Sequence, residues 1–371
     1  GQHQVNIGVS SVQVSAGGPY SISEGETLNL LATAVGDDLG LVKSYSWDIN
    51  DDGIFGDGGI TTAAGSISWN ELQQLNNKLI QDDGSFDTVT VRVSYLNYPN
   101  DKTFDLASST LFVSNTAATI TLDAVSTVTE NGMLTLSGTI TDPSDADTFT
   151  LTLNWGDTLG DETIDLTNPG ANVTYNANTR SFSVTHQYLD DNPTGTSQDS
   201  YTVNVVARDD DGGFGADSIS VIIQNAAPVI VINPITAINE NGEAVVTGTI
   251  SDAGTLDTFT LDINWGDPTS ADNIQTIALA AGAEGSQTFS FSHQYLDDNP
   301  TVSAVDSYIV KMVVTDDDLE MGSASQTIKV HNVAPNLSHL AASTINEGEF
   351  TRLTGTISDP SRSDTFSLHV S

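Results

Sequence analysis

Phe149-Thr150-Leu151-Thr152-Leu153-Asn154-Trp155-Gly156-Asp157 returns further along as Phe259-Thr260-Leu261-Asp262-Ile263-Asn264-Trp265-Gly266-Asp267. Apolar and polar residues alternate up to the Trp, the period of a half-buried strand. Asn-Trp-Gly-Asp then supplies turn formers. A copy of this kind marks a chain built from repeats. From Trp155 to Trp265 the offset is 110 positions, and from His186 to His293 it is 107. The shortening therefore falls between the Trp and the His, where loop length varies at small entropic cost.

Other stretches keep the same register. His186 to Pro193 recurs unchanged as His293 to Pro300. Glu130-Asn131-Gly132 recurs as Glu240-Asn241-Gly242 and, shortened, as Glu347-Gly348. Asp147-Thr148-Phe149 recurs as Asp257-Thr258-Phe259 and as Asp364-Thr365-Phe366. Asn225-Ala226-Ala227-Pro228 matches Asn332-Val333-Ala334-Pro335. The expected modules are 9–115, 116–225 and 226–332, with an incomplete fourth over 333–371 and the end of a preceding one over 1–8. The first is divergent. It keeps Ser23-Glu24-Gly25-Glu26 and Trp47-Asp48 but inserts Trp69 to Leu75, which predicts a short helix. Nothing else reads as helical. Leu134 to Ile140, Phe182 to Thr185 and Tyr201 to Val206 all read as strands. Seven short strands per module is a sandwich count. The predicted fold is all-β: tandem, immunoglobulin-like, seven-stranded sandwiches in an elongated array.

Both ends read as cuts inside a module. Phe366 to Ser371 stops one residue before the expected Trp, and Gln4 to Gly8 resembles Val330 to Ala334. Orphan strands leave edges unpaired. The expectation is that the polypeptide continues, the alternative being that a neighbouring subunit donates the missing strands.

Ten Lys+Arg stand against 49 Asp+Glu, a formal net charge of −39. Phosphate recognition needs a basic surface, so nucleic acid is excluded as a partner and bare anionic membrane is disfavoured. No stretch is apolar enough to insert directly into a membrane. There is no cysteine, hence neither disulfide nor thiolate site. Divalent cations are the natural counterions.

Strand order says where the acidic residues gather. With seven antiparallel strands, alternate turns fall at opposite ends of a sandwich. One end of the second module collects Glu130, Asp157, Asp190 and Asp191, with Asn225 in the linker. The facing end of the third collects Asp252, Asp257, Asp316, Asp317 and Asp318. The next junction repeats the set as Glu240, Asp267, Asp297, Asp298, Asn332, Asp359 and Asp364. Unneutralised carboxylates repel one another. Calcium takes six to eight oxygen ligands and suits such a pocket. The alternative is that each Asp or Asn caps its own turn and the charge serves solubility. A second candidate is Asp48-x-Asn50-x-Asp52-Gly53, which matches the opening of a calcium loop. Gly59 stands at its twelfth position, and Asp57 is the substitute acid. The same residues also suit a plain turn.

Trp-Gly-Asp after a strand, His-x-Tyr at a corner, and Tyr-x-Val-x-Val leading to Asp-Asp-Asp resemble PKD-like domains. Tyr45 to Gly53 and Ala16 to Tyr20 of the first module are similar to that family too. The resemblance spans nearly the whole chain, although the long Asp-Asp-Asn-Pro corner departs from the commonest PKD pattern. It implies extracellular β-sandwiches of large bacterial surface proteins or of secreted hydrolases. The acidic layout also resembles cadherin junctions, where a Glu, an acidic pair, a linker Asn and next-domain Asp residues share calcium.

The leading expectation is a non-catalytic structural or adhesive array at the cell surface, a stalk, spacer or filament component stiffened by calcium at its junctions. Its partners would be neighbouring modules or subunits, or surface and matrix glycans. The alternative is a set of polysaccharide-binding modules attached to a secreted hydrolase. An enzyme is the least supported reading. His186 and His293 precede acidic residues, but the His-x-Tyr pair repeats as packing residues do and no nucleophile elbow accompanies it.

Overall fold

The computed structural model describes residues 12–75, 80, 83–98, 101–192, 194–298, 301 and 303–371. The expected end of a preceding module at 1–8 therefore lies outside the described residues, as do Pro193 and the Asn299-Pro300 end of the repeated corner. The chain is all-β and immunoglobulin-like, and among the described residues the strands are accompanied by a short α-helix and by 3-10 turns. It divides into two compact units. One holds 1–124, 135–185 and 202–219; the other holds 125–134, 186–201 and 220–371.

In the first unit, residues 12–114 form a sandwich. Tyr20–Ser23, Phe104–Ser114, Asp83–Tyr95 and Val42–Asp48 make a four-stranded sheet in that order, faced by two strand pairs. Trp47 is fully buried at its centre with Leu28, Ile67, Val91 and Leu111. The inserted segment does fold as a helix, Trp69–Leu72, one turn shorter than the seven residues expected. Ser68 and Glu71 close a capping box at its start, and Trp69 and Leu72 turn into the core. The Trp69 indole N–H donates to the Pro143 carbonyl at 2.9 Å. Against the expectation of no other helix, Leu39–Leu41 and Asp57–Gly59 are 3-10 turns. Gly and Asp residues make such tight turns without apolar periodicity, so nothing announces them in the pattern. Further along this unit Phe149–Asn154 lies between Asp161–Asp165 and the Gln198–Asp209 strand, antiparallel to both.

In the second unit, residues 229–331 form a sandwich of a five-stranded and a three-stranded sheet. The larger runs Ile238–Asn239, Met321–His331, Val305–Asp316, Phe259–Asn264, Ile274–Leu279; the smaller runs Val229–Ile232, Gly242–Ser251, Ser286–Tyr295. Val305–Asp316 alternates exposed and buried residues along nearly its whole length, which is how a sheet with one wet face reads. Its inward side chains Val310, Met312 and Val314 pack with Trp265, Leu261, Ile263, Ile328 and Val330. Asn336–Ala342 and Leu353–Ser358 pair antiparallel beyond this sandwich.

Candidate metal centre

The residues that gather at the ends of the sandwiches are held by backbone ladders rather than by the loops alone. In the second unit Val128–Thr129 pairs in parallel with Ile223 and Gln224, and Glu130 continues that ladder, its N–H donating to Gln224 O at 2.9 Å. The turn after it is sharp. Asn131 sits at φ 56°, and its carbonyl and side-chain oxygens both accept from Gln187 Nε2. Glu130 is thereby aimed inward, where it is 2 % exposed. Its Oε1 accepts from Ala226 N at 2.7 Å, while Oε2 meets no donor.

Around Glu130 stand Asp190, Asp191, Asp252, Asp257 and Asp318. Three overlapping triads, Glu130/Asp252/Asp257, Glu130/Asp190/Asp191 and Asp190/Asp257/Asp318, each have ligand oxygens within 4.8 Å of one another. Asp191 is 0 % and Asp257 1 % exposed, and neither carboxylate receives a hydrogen bond on either oxygen. Gly254 belongs to the same wall: a Cβ there would lie 2.4 Å from Glu130 Oε2 and 2.5 Å from Asp257 Oδ2. Among the described residues no Lys or Arg forms an ion pair with any of these acids.

The electrostatic consequence is large. Burial, reinforced by the charges of Glu130, Asp190 and Asp252, pushes Asp257 up to about 9. Burial lifts Glu130 to about 7, with Asp252, Asp190 and Asp318 adding to it against the Ala226 N–H. Asp252 rises to about 6 for the same first reason. Desolvation also raises Asp191 and its neighbour Asp318, each within reach of the other's charge. A buried carboxylate without donor or cation is among the costliest groups a fold can hold. Asp191 and Asp257 are two such groups, and with Glu130, Asp190, Asp252 and Asp318 they make six acids, all supplying oxygen and none sulfur or nitrogen, a donor set for a hard cation.

Two more junctions repeat the plan. Glu240 Oε1 accepts from Val333 N at 2.7 Å, and Glu240 Oε2, Asp298 Oδ2 and Asp359 Oδ2 are buried without a donor. Burial raises Glu240, helped by the charges of Asp364, Asp359 and Asp298. Asp298 and Asp364 rise too, again first through burial. In the first unit Thr116 N donates to Glu24 Oε2 at 2.9 Å, and Glu24/Asp142/Asp147 and Asp147/Asp210/Asp211 form triads within the same 4.8 Å limit. The sequence reading had not assembled this set. Its signal was present, since Glu24, Asn115, Asp142 and Asp147 stand at the repeat positions of Glu130, Asn225, Asp252 and Asp257. Arg180 lies close by, donating to the Asp142 carbonyl and opposing the rise that burial gives the Asp142 carboxyl.

Other predicted ligands are held as scaffold. Asp316 accepts from Asn225 Nδ2 at 3.1 Å and from Glu320 N at 2.8 Å, so both its oxygens are engaged. Asn225 keeps a buried Oδ1 without a donor. Asp317 accepts from Thr258 N at 2.8 Å. Asp157 accepts from Leu159 N in a local turn. Asp267 caps Thr269 and lies 3.3 Å from His293 Nε2. Asp297 caps the next residue's N–H, and its carbonyl accepts from Tyr308 Oη at 3.0 Å. Tyr201 Oη reaches the Asp190 carbonyl in the same way. These two tyrosines, missed as site residues, fix the height of the acidic corner. Tyr308→Phe should cost about 1 kcal/mol, the worth of one such bond. Hydrogen exchange should show that loss at 295–298 while the sheet amides stay protected.

The Asp48 loop closes on itself. Asp48 accepts from Asp52 N and Gly53 N, and Asp57 from Ile49 N at 2.7 Å. Asn50 is fully buried and Asp52 accepts from Ile54 N. The loop thus has the hydrogen bonding of a turn. His293 is buried, stacked on Trp265 at 5.0 Å and edge-on to Tyr295, whose hydroxyl donates to the Trp265 carbonyl at 2.8 Å. That is a packed corner.

No protein-family profile matches the chain, and no curated protein matches it. Among solved structures it is similar to a tetra-tandem repeat in the extending region of a large adhesion protein. The identity is 17 %, the TM-score 0.38, and the match covers 94 % of this chain and 81 % of that one. It is also similar to extracellular cadherin domains 1–5 of protocadherin gamma B2 at 14 % identity and TM-score 0.27, over 84 % of this chain and 58 % of that one. A marsupial T cell receptor matches at 14 % identity and TM-score 0.26, over 76 % of this chain and 100 % of that one.

Proposed function

We propose that the chain is a non-catalytic repeat array of a large secreted surface protein, structural or adhesive, whose junctions are closed by calcium. The observation that carries this reading is the pair of buried, donorless carboxylates Asp191 and Asp257 beside Glu130. An all-oxygen set of acids favours calcium over zinc or copper, which prefer nitrogen and sulfur. Glu130, Asp190, Asp191, Asp252, Asp257 and Asp318 would hold the ion, with Glu240, Asp298, Asp359 and Asp364 serving at the next junction. The ion would supply the positive charge that the cluster lacks, and the repeats would then hold one orientation. All four tryptophans are buried, so no indole ring is presented to a polysaccharide. No helix among the described residues is long and apolar enough to cross a membrane. The fold and the acidic surface both suit the cell exterior, where calcium is abundant.

Small-angle scattering tests the stiffening. Chelation should give a more variable particle than calcium does, and superimposable profiles would contradict the reading. Gly254→Ala offers a local check. Its added methyl falls on Glu130 Oε2 and Asp257 Oδ2, so calcium affinity at this junction should drop about tenfold or more. An unchanged titration would remove Glu130 and Asp257 from the site.

A further inference from the structure

In each repeat a short opening strand pairs antiparallel within one sheet, and the second strand, which leads into the Glu, lies beside the last strand of the repeat and runs the same way. Tyr20–Ser23 pairs in parallel with Leu111 to Ser114, Val128–Thr129 with Ile223 and Gln224, and Ile238–Asn239 with Val330 and His331. In all three the ladder gains one further rung. Glu24 N donates to Ser114 O at 3.1 Å, Glu130 N to Gln224 O at 2.9 Å and Glu240 N to His331 O at 2.9 Å. The donor of that rung is the same Glu whose carboxylate enters the acidic cluster. Its other carboxylate oxygen accepts from the linker just past the last strand, at Thr116, Ala226 or Val333.

This geometry has a mechanical meaning. A pull along the chain passes the opening strand, reaches the second strand from its N-terminal side, and leaves the repeat at its last strand. Parallel neighbours pulled from opposite ends slide lengthwise, so their evenly spaced rungs are loaded together. Antiparallel neighbours joined by a turn would open one rung at a time. The Glu sits where the last strand passes into the linker, and force must cross that point.

We infer that Glu24, Glu130 and Glu240 make each junction a tension lock, in which a bound cation anchors the final rung of the parallel ladder between the second and last strands and resists its sliding. The inference rests on the calcium reading and adds a resistance to tension that cation binding alone does not require. The ladder of the 12–114 sandwich has four residue pairs and the other two have two each. Without cation the first should therefore be the slowest to yield.

Forced unfolding follows the unfolding rate. The full chain is pulled by its ends at constant force, in calcium and then in EGTA. Chelation should speed unfolding of the repeats about tenfold, or about 1.4 kcal/mol at the barrier. Glu240→Gln keeps the backbone rung and a carbonyl for Val333 N but removes the charge. In calcium it should make one class of events faster by that factor, and in EGTA it should not speed unfolding, since the buried charge it removes is then uncompensated. Calorimetric binding of calcium with unfolding under force unaltered by EGTA overturns the lock and leaves the calcium reading standing. Absence of calcium binding overturns both. Should Glu240→Gln disturb folding, Ile238→Cys with Val330→Cys spans the same ladder in a chain with no other cysteine. Oxidised, that repeat should lose its extension step, and an unchanged step would show that the ladder does not carry the load.

Discussion

Asp191→Asn with Asp257→Asn should stabilise the metal-free chain and abolish its response to calcium. The sign inversion is the point. Both carboxylates are buried without a donor and lie among other acids. Removing buried, uncompensated charge relieves desolvation and repulsion, and replacing buried ions by neutral groups often gains 1–4 kcal/mol. In EGTA the double variant should therefore melt above the wild type, by a gain of about 2–4 kcal/mol. In calcium the order should reverse, because the wild type gains binding energy by mass action and the variant has lost two ligands. Calorimetric melts of both proteins in both buffers decide the matter. A variant less stable in EGTA as well would mean that these carboxylates serve the fold rather than an ion.

The second large effect belongs to the core. Trp265→Ala should cost about 3–5 kcal/mol, the range for deleting a buried aromatic. Trp265 is 0 % exposed, stacks on His293, and offers its carbonyl to the Tyr295 hydroxyl. Its indole N–H meets no acceptor, so Trp265→Phe should be far milder, removing an unsatisfied donor along with some volume. Hydrogen exchange of Val305–Asp316 reads both. Protection there should fall more than about a hundredfold in the alanine variant, and much less in the phenylalanine one. Equal losses would mean that the indole nitrogen matters more than the packing.

The strand-and-Trp stretch was enough to read the sandwich, because strand period and repeat offset are properties of the chain alone. Phe149–Asn154 and Phe259–Asn264 alternate buried and less buried residues as their letters say. The acidic corners were legible for a similar reason. A strand count decides which turns share an end, and Glu130, Asp190, Asp191, Asp252, Asp257 and Asp318 do meet. What the letters did not carry is which oxygen of each acid is engaged. Asp316 and Asp318 are two residues apart and look alike in sequence. Only three-dimensional packing sets the first against Asn225 and Glu320 and leaves the second in the cluster. Tyr201 and Tyr308 read as core positions of a strand, and their hydroxyls reveal themselves as supports of the corner only once the chain is folded. The 12–114 sandwich hid its junction differently. Its divergence from the other repeats masks the correspondence of Glu24 and Asn115 until Thr116 is seen to donate to Glu24.

The central claim is that the junction carboxylates bind calcium, and calorimetric titration of the metal-free chain tests it most directly. The account predicts a saturable heat of calcium binding. Part of it should vanish in the Asp191→Asn, Asp257→Asn variant, while the fraction belonging to Glu24 and to Glu240 is retained. A titration that shows no heat beyond dilution, or one that the double variant leaves untouched, would contradict it.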